Sequence, residues 1–140
     1  MQLGPGFPVE PRYSQRATGG DNAVSGPSDR WPIDARDPAG RRVRCSRYWW
    51  TEHITKPKPE FDAYEMDVEV NRTIGDPDEI TVSKTNPARR CYYRKAPMQH
   101  PNELIKAVAE FGRFGGRGAL KTCYLVRGVT FGETTEWKRP

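Results

Sequence analysis

The residues best suited to chemistry in this sequence are arginines interleaved with aromatic side chains. They fall in two short segments, "RRVRCSRYWW" (41–50) and "NPARRCYYRKAP" (86–97). Arginine forks match the geometry of phosphate, and aromatic faces stack on unpaired bases at about 1–3 kcal/mol per base. The two segments therefore predict a surface that contacts nucleic acid, with seven contributing residues: Arg42, Arg44, Arg47, Arg90, Tyr92, Arg94 and Lys95.

The same segments also fit a purely structural interpretation. Tyr93, Trp49 and Trp50 would then belong to the core or to a subunit interface, and the arginines would be solvated. Residues 61–80 carry seven acids and one arginine, whereas residues 81–100 carry five cations and no acid. Because strands of opposite charge can pair across a sheet, part of the basic surface is expected to be neutralised by its neighbour.

Patterns for catalysis or metal binding are weaker. Cys91 and His100 form a thiol–imidazole pair close in sequence, but a cysteine in the middle of a strand would not come within hydrogen-bond reach of that histidine. A structural zinc site usually draws two ligands from a short C-x-x-C type of loop, and no such loop joins the four candidates, Cys45, His53, Cys91 and Cys123. We therefore expect no enzyme, no catalytic residue, no metal and no other cofactor.

Two further patterns have both a functional and a structural interpretation. Glu65, Asp67 and Glu69 lie on one face of a predicted strand, about 7 Å apart at each step, where paired carboxylates could act. A solvated or ion-paired face is the commoner meaning of such a pattern. "FGRFGGRG" (111–118) is similar to an RGG-type RNA-binding phrase, but it occurs once, and its glycines are also expected to end a helix.

Length and composition limit the class of protein. The chain has 140 residues, a net charge of +5 and 35% hydrophobic residues, which together indicate one domain that favours polyanionic partners. Three cysteines without a close pair indicate reduced, packed thiols rather than a disulfide scaffold. No apolar run approaches the roughly 18 residues of a membrane span, and the first residues lack a signal-peptide pattern. We expect a soluble, intracellular protein, or part of a particle assembled inside a cell, with no membrane partner.

The chain divides into an arm and a body. Residues 1–40 form an extended Pro/Gly-rich segment that is too poor in apolar residues to fold alone, and that we interpret as an assembly arm, with a hairpin as one possible form. Its aromatic residues are spaced as anchors for a neighbouring subunit. Residues 41–140 form the body, whose helix is expected to add apolar anchors. The six assembly anchors are Phe7, Tyr13, Trp31, Leu104, Val108 and Phe111.

Alternating apolar and polar residues predict strands in the first part of the body. In "AYEMDVEVN" (63–71), one face would carry Tyr64, Met66, Val68 and Val70, and the other would carry the acids. "GDPD" (75–78) predicts a turn between two strands, because Gly and Pro suit tight turns. Four strands are expected, at 41–55, 63–71, 79–85 and 88–95.

The period changes in "HPNELIKAVAEFGRFGG" (100–116). Leu104, Val108 and Phe111 recur at i, i+4 and i+7 and glycines follow, so a helix is predicted. Residues 119–131 fit either a strand or a second short helix, and their Thr, Cys, Tyr and Val content favours a strand. The predicted fold class is α+β: an antiparallel sheet of about five strands, one or two C-terminal helices and an extended N-terminal arm.

The order of these segments resembles the coat proteins of single-stranded RNA bacteriophages, the levivirus-like group. "RWPIDARDPAGRRVRCSRY" is similar to that family's Trp-bearing segment leading into a Cys-bearing basic strand, "YEMDVEV" to its alternating strand, and "NELIKAVAEF" to its first interlocking helix. The resemblance implies an N-terminal hairpin, a five-stranded antiparallel sheet and C-terminal helices that interlock two subunits. The acidic strand and the tail "CYLVRGVTFGETTEWKRP" depart from the family's pattern.

These observations predict a structural subunit of the coat or capsid type. It would form homodimers and larger virion-like particles, assembled in a host cytoplasm, and its basic, aromatic sheet face would contact packaged nucleic acid, most simply RNA. The alternative is an RNA-binding accessory subunit of a ribonucleoprotein such as a ribosome. Neither interpretation involves a small-molecule substrate.

Overall fold

The computed structural model describes residues 27–62, 65–112 and 115–140, so the arm anchors Phe7 and Tyr13 lie outside the described residues. Two short strands come first, followed by a helical region and then by five further strands. In chain order the elements are β1 (Ile33–Arg36), β2 (Arg42–Cys45), α1 (Arg47–Trp49) continued by a π-helical segment (Trp50–Thr55), a 3₁₀ turn (Pro59–Asp62), α2 (Met66–Gly75), β3 (Glu79–Val82), β4 (Arg89–Lys95), β5 (Leu104–Gly112), β6 (Gly115–Val126) and β7 (Thr134–Lys138).

All seven strands belong to one mixed sheet in the order β1-β2-β6-β5-β4-β3-β7. Strands β2 and β6 run parallel, with Val43 opposite Gly118 and Arg44 opposite Ala119, and every other neighbouring pair is antiparallel. The expected five-stranded antiparallel sheet with C-terminal helices is therefore wrong. The described residues after α2 contain strands and turns, so the fold implied by the phage coat-protein resemblance is wrong as well.

Residues 66–71 of the segment predicted as an acidic strand belong to helix α2. Its buried residues Met66, Val70 and Ile74 recur every four positions, whereas Val68, which the strand prediction placed on the same face, is 40% exposed. Two acids, Asp67 and Glu69, lie in the first turn, where they oppose the positive end of the helix dipole. The spacing of Met66 and Val70 fits both a helix and a strand, and packing against the sheet determines the outcome.

The segment predicted as a C-terminal helix is strand β5. It lies between β4 and β6 and is covered on both faces, because Ile105, Ala107 and Ala109 are buried on one side and Val108 on the other. A strand with two buried faces shows a nearly continuous apolar run, which periodicity alone does not distinguish from a buried helix. As a result Leu104 and Val108 pack in one cluster, whereas Phe111 packs against the other.

Residues 47–55 are also helical rather than extended. Ser46 starts the turn, since its Oγ accepts a hydrogen bond from the backbone N–H of Trp49 at 3.1 Å. The strand predictions are confirmed for β2, β3 and β4, and the preference for a strand at 119–131 is confirmed as far as Val126. The three cysteines are buried and unpaired, as expected.

The sheet has one core on each face. The larger core lies under α2 and the π-helical segment and includes Ile54, Phe61 and Tyr92. The smaller core contains Cys91, Tyr93 and Val108. The segment between β6 and β7 crosses to this second face, where Thr130 and Glu133 bond to Tyr93 and Lys106.

A buried ion pair fixes that crossing segment to the sheet. Lys106 Nζ lies 2.9 Å from Glu133 Oε2, and their side chains are 11% and 4% exposed. Glu133 also accepts hydrogen bonds from Tyr93 Oη at 2.6 Å and from Thr81 Oγ1 at 2.7 Å. Burial alone would raise the pKa of Glu133, but these donors outweigh it and hold that pKa below its ordinary value.

Candidate nucleic-acid interface

The seven residues predicted to contact nucleic acid do not form one continuous surface. Strand β4 directs Tyr92 into the larger core, where it is 0% exposed and its hydroxyl donates to Asp37 Oδ2 at 2.7 Å. Burial, with the Asp37 charge adding to it, raises the pKa of Tyr92. The ring is therefore not accessible for stacking on a base, and the assignment of Tyr92 to a nucleic-acid-facing surface is corrected.

The two β4 arginines on the same face are held in ion pairs. Arg90 Nε lies 3.1 Å from Glu136 Oε2, and Arg94 Nη1 lies 3.0 Å from Asp76 Oδ2. Arg94 belongs to a groove of about 440 Å³ that is lined by both cationic and acidic side chains. The lining residues are Asp76, Asp78, Arg94, Lys95, Ala96 and Arg139. Because Arg139 pairs with both aspartates, the charge of this groove is largely neutralised internally.

The arginines of β2 and α1 are placed differently. Arg42 takes both carboxylate oxygens of Asp34, with Nε 2.9 Å from Oδ1 and Nη2 3.0 Å from Oδ2. Arg44 is left with a long contact of 3.5 Å from its Nε to Asp34 Oδ2. Arg47 lies at the start of α1, is exposed, and donates from Nε to the Asp29 carbonyl at 3.0 Å. One carboxylate thus serves two guanidinium groups.

A basic groove of about 280 Å³ opens beside Arg44, where β2 runs parallel to β6. Three of its side chains are cationic, two are tryptophans, and none of the described lining residues is acidic. We call this surface the basic groove and define it by Trp31, Arg44, Cys45, Ser46, Trp49, Arg117, Gly118, Ala119, Leu120 and Lys121.

The two tryptophans of the basic groove hold cations on their faces. The guanidinium carbon of Arg44 lies 4.3 Å from the ring centroid of Trp31. Lys121 Nζ lies 4.9 Å from the ring of Trp49, whose other contacts include the stacked imidazole of His53 at 4.0 Å. A stacked guanidinium keeps its N–H donors free in the ring plane, so it can still bind an anion with its edge.

Trp49 also joins the helical region to the sheet. Its Nε1 donates to the backbone carbonyl of Lys121 at 3.2 Å, which places the end of α1 beside β6. Asn71 of α2 accepts from the Asp34 backbone N–H at 2.9 Å and donates to the Pro32 carbonyl at 2.7 Å, which joins α2 to the segment that follows Trp31. The groove is thus formed by side chains on elements that are fixed to one another.

The electrostatics of the basic groove favour an anion. Burial lowers the pKa of Arg44, and the nearby charges of Arg42 and Arg117 lower it further, while Asp34 opposes the shift. Arg44 Nε is buried and faces Asp34 Oδ2 at 3.5 Å, without forming a well-placed hydrogen bond. Within the described ranges, no carboxylate forms an ion pair with Arg117 or Lys121. A phosphate in the groove would reduce the repulsion between these cations.

Sequence reasoning found part of this site and missed part of it. Arg44 was in the predicted set, and Trp31 was predicted as an assembly anchor rather than as a support for Arg44. Arg117 lay in the RGG-type phrase, which was the one local signal for it. Lys121 was missed, because only the pairing of β2 with β6, 75 residues apart at Arg44 and Ala119, brings it to the groove.

No family model, curated protein or solved structure matches this chain. In the part of the chain that the structure describes, no group of three or more histidine, cysteine or acidic residues is placed to hold a metal ion. No helix within those ranges is long and apolar enough to cross a membrane. The geometry of the basic groove is therefore the main basis for a functional proposal.

Proposed function

We propose that this protein binds single-stranded nucleic acid through phosphate contacts in the basic groove. The observation that carries the proposal is Arg44, a cation stacked on Trp31 in a groove whose described lining holds two further cations and no carboxylate. Arg117 and Lys121 line the same groove, and within the described ranges neither forms an ion pair with a carboxylate. Three convergent cations on an aromatic base suit a phosphodiester backbone.

A flexible single strand fits the basic groove better than a duplex does. The Arg44 side chain is only 19% exposed, so a ligand must enter the groove to reach it. Double-stranded DNA is stiff over about 150 base pairs and cannot follow a short recess without a deformation cost. A single strand can bend its backbone inward while its bases remain outside or lie against the rims.

The binding experiment is fluorescence anisotropy with a labelled 12-nucleotide RNA at 50 to 200 mM salt. We expect Arg44→Ala and Lys121→Ala each to weaken binding about fivefold or more and to reduce the salt slope by roughly 0.7, the value for one phosphate contact on a single strand. Arg94→Ala is the matched control, because it removes the same charge from a groove that is neutralised internally.

Two results would overturn the proposal. One is the absence of binding at 50 mM salt, where phosphate contacts are strongest. The other is an equal loss for Arg44→Ala and Arg94→Ala, since general charge rather than the basic groove would then explain binding. Thermal melting of each variant shows whether a lost affinity reflects a lost fold.

Self-assembly as a structural subunit of a virion-like particle is the second candidate. The observation that favours it is the exposure of two large apolar side chains, Met98 at 93% and Phe131 at 92%. Contacts between copies would remove both from water. Analytical ultracentrifugation tests this candidate: we expect a species larger than a monomer at micromolar concentration that Met98→Ser with Phe131→Ser dissociates. A monomer under all conditions would exclude it and leave the RNA-binding accessory role.

A further inference from the structure

We infer that a bound strand continues from the basic groove along β6 to a second nucleotide subsite, formed by Lys58, Thr122 and Tyr124. We call these three residues the Lys58 subsite. The inference rests on the proposed function, because it concerns the path of the same ligand. It specifies how long a strand the protein covers and which further residues contact that strand.

The Lys58 subsite repeats the chemistry of the basic groove on a smaller scale. Lys58 Nζ lies 4.7 Å from the ring centroid of Tyr124 and donates to Thr122 Oγ1 at 3.2 Å. Tyr124 is 41% exposed, which is high for a strand residue with an aromatic ring. No ion pair joins Lys58 to an acid within the described ranges. A cation and an exposed ring are thus held together with no internal anion.

The position of Lys58 is fixed by the turn that follows the π-helical segment. Its backbone N–H donates to the Ile54 carbonyl at 3.1 Å, and Ile54 is fully buried. The neighbouring Lys56 differs, because its Nζ lies 3.3 Å from Glu52 Oε1 and its side chain is 71% exposed. Lys58 and Lys56 therefore carry the same charge on the same element, but only Lys58 reaches β6.

The two sites are continuous along β6. Lys121 of the basic groove precedes Thr122 of the Lys58 subsite, and Trp49 bonds to the Lys121 carbonyl between them. From Arg117 to Tyr124 the strand spans about 23 Å at its usual rise of about 3.3 Å per residue. That length corresponds to roughly seven nucleotides at a stacked spacing of about 3.4 Å, and to fewer when the strand is stretched.

The two sites predict that affinity rises with oligonucleotide length until both are filled. The experiment compares unlabelled oligouridylates of three and eight nucleotides as competitors of a labelled 8-mer at 50 mM salt. Lys58→Gln and Tyr124→Ala are each expected to lower the affinity for the 8-mer at least fivefold. The affinity of both variants for the 3-mer is expected to stay within twofold of wild type. Lys56→Gln, the control, is expected to leave both lengths within twofold of wild type.

The outcomes separate this inference from the proposed function. If neither length binds wild-type protein, the proposed function fails and the second subsite with it. If the 3-mer competes as well as the 8-mer, or if Lys58→Gln equals Lys56→Gln on the 8-mer, the basic groove stands and the second subsite is overturned. Equal losses on both lengths would also overturn it, because Lys58 would then act on the groove itself. Thermal melting of Tyr124→Ala followed by circular dichroism tests whether this variant keeps the fold.

Discussion

Arg44 stacks on Trp31 with its guanidinium carbon 4.3 Å from the ring centroid, while its Nε lies 3.5 Å from a carboxylate that Arg42 already occupies. The ring supports the cation without neutralising it. Where an acidic side chain holds an arginine, it also neutralises the positive charge, as Asp76 does for Arg94. Aromatic support is thus the feature that distinguishes the basic groove from the larger, ion-paired groove of this protein.

Replacing Trp31 tests that support. Trp31→Ala is expected to weaken binding of a 12-nucleotide RNA about threefold to tenfold, because Arg44 loses a cation–π contact worth about 0.5–2 kcal/mol and becomes mobile. Trp31→Phe keeps an aromatic face and is expected to retain most of the affinity. Anisotropy titrations measure both. Equal affinities for the alanine and phenylalanine variants would contradict the role of the ring.

Acid stability tests the buried pair of Lys106 and Glu133. The folded-state pKa of Glu133 lies below its ordinary value, so its contribution to stability is present above about pH 4.5 and is lost as the pH falls through the folded pKa. Glu133→Gln is expected to lower the free energy of unfolding at pH 7 by about 3–5 kcal/mol, because Lys106 remains buried without a counter-charge. It is also expected to flatten the pH dependence between pH 5 and 3.

Urea denaturation at several pH values measures both effects. Glu60→Gln is the control, since Glu60 is exposed and its removal is expected to change little. A pH profile of Glu133→Gln that parallels wild type would show that other carboxylates cause the acid sensitivity.

Gly118 provides a test of packing at the floor of the basic groove. A Cβ built at this position would lie 2.6 Å from Cε1 of Phe111, which packs across the strand on the glycine. Gly118→Ala is therefore expected to destabilise the protein by about 1–3 kcal/mol through overpacking. In the Phe111→Ala background the same change is expected to cost much less. A double-mutant cycle from urea denaturation measures the coupling, and additive effects would contradict the contact.

The sequence predicted structure correctly where local signals decide it, and incorrectly where the completed sheet decides it. Strands β3 and β4 were predicted because their residues favour extended backbone and a turn separates them from their neighbours. The element types of α2 and β5 were predicted the wrong way round, because apolar residues four positions apart lie on one face of a helix and also on one face of a strand. Met66 with Val70, and Leu104 with Val108, show that ambiguity. Which face each residue buries depends on the completed sheet.

In the candidate site too, local features could be predicted from the sequence and long-range contacts could not. Arg44 was recognisable from residue type, since it stands in a basic and aromatic segment. Its long contact with Asp34 was not recognisable, because it depends on Arg42 taking both oxygens of that carboxylate. Lys121 and Lys58 required the parallel pairing of β2 with β6 and the helical turn beside it. Charge and aromatic content thus indicated the ligand class, and tertiary structure selected the residues.

A substitution at Tyr92 tests whether this tyrosine stabilises the core or contacts nucleic acid. Its hydroxyl donates to Asp37 Oδ2 inside the core, and Asp37 also pairs with Arg41 Nε at 2.7 Å. Tyr92→Phe is expected to lower the free energy of unfolding by about 1–3 kcal/mol, since it removes a hydrogen bond to a buried charged group. The affinity for a 12-nucleotide RNA is expected to stay within twofold of wild type, because the ring is 0% exposed and lies outside the basic groove. Urea denaturation and anisotropy measured on one preparation compare the two quantities. A variant with normal stability and a large loss of affinity would mean that the β4 face opens to receive the ligand.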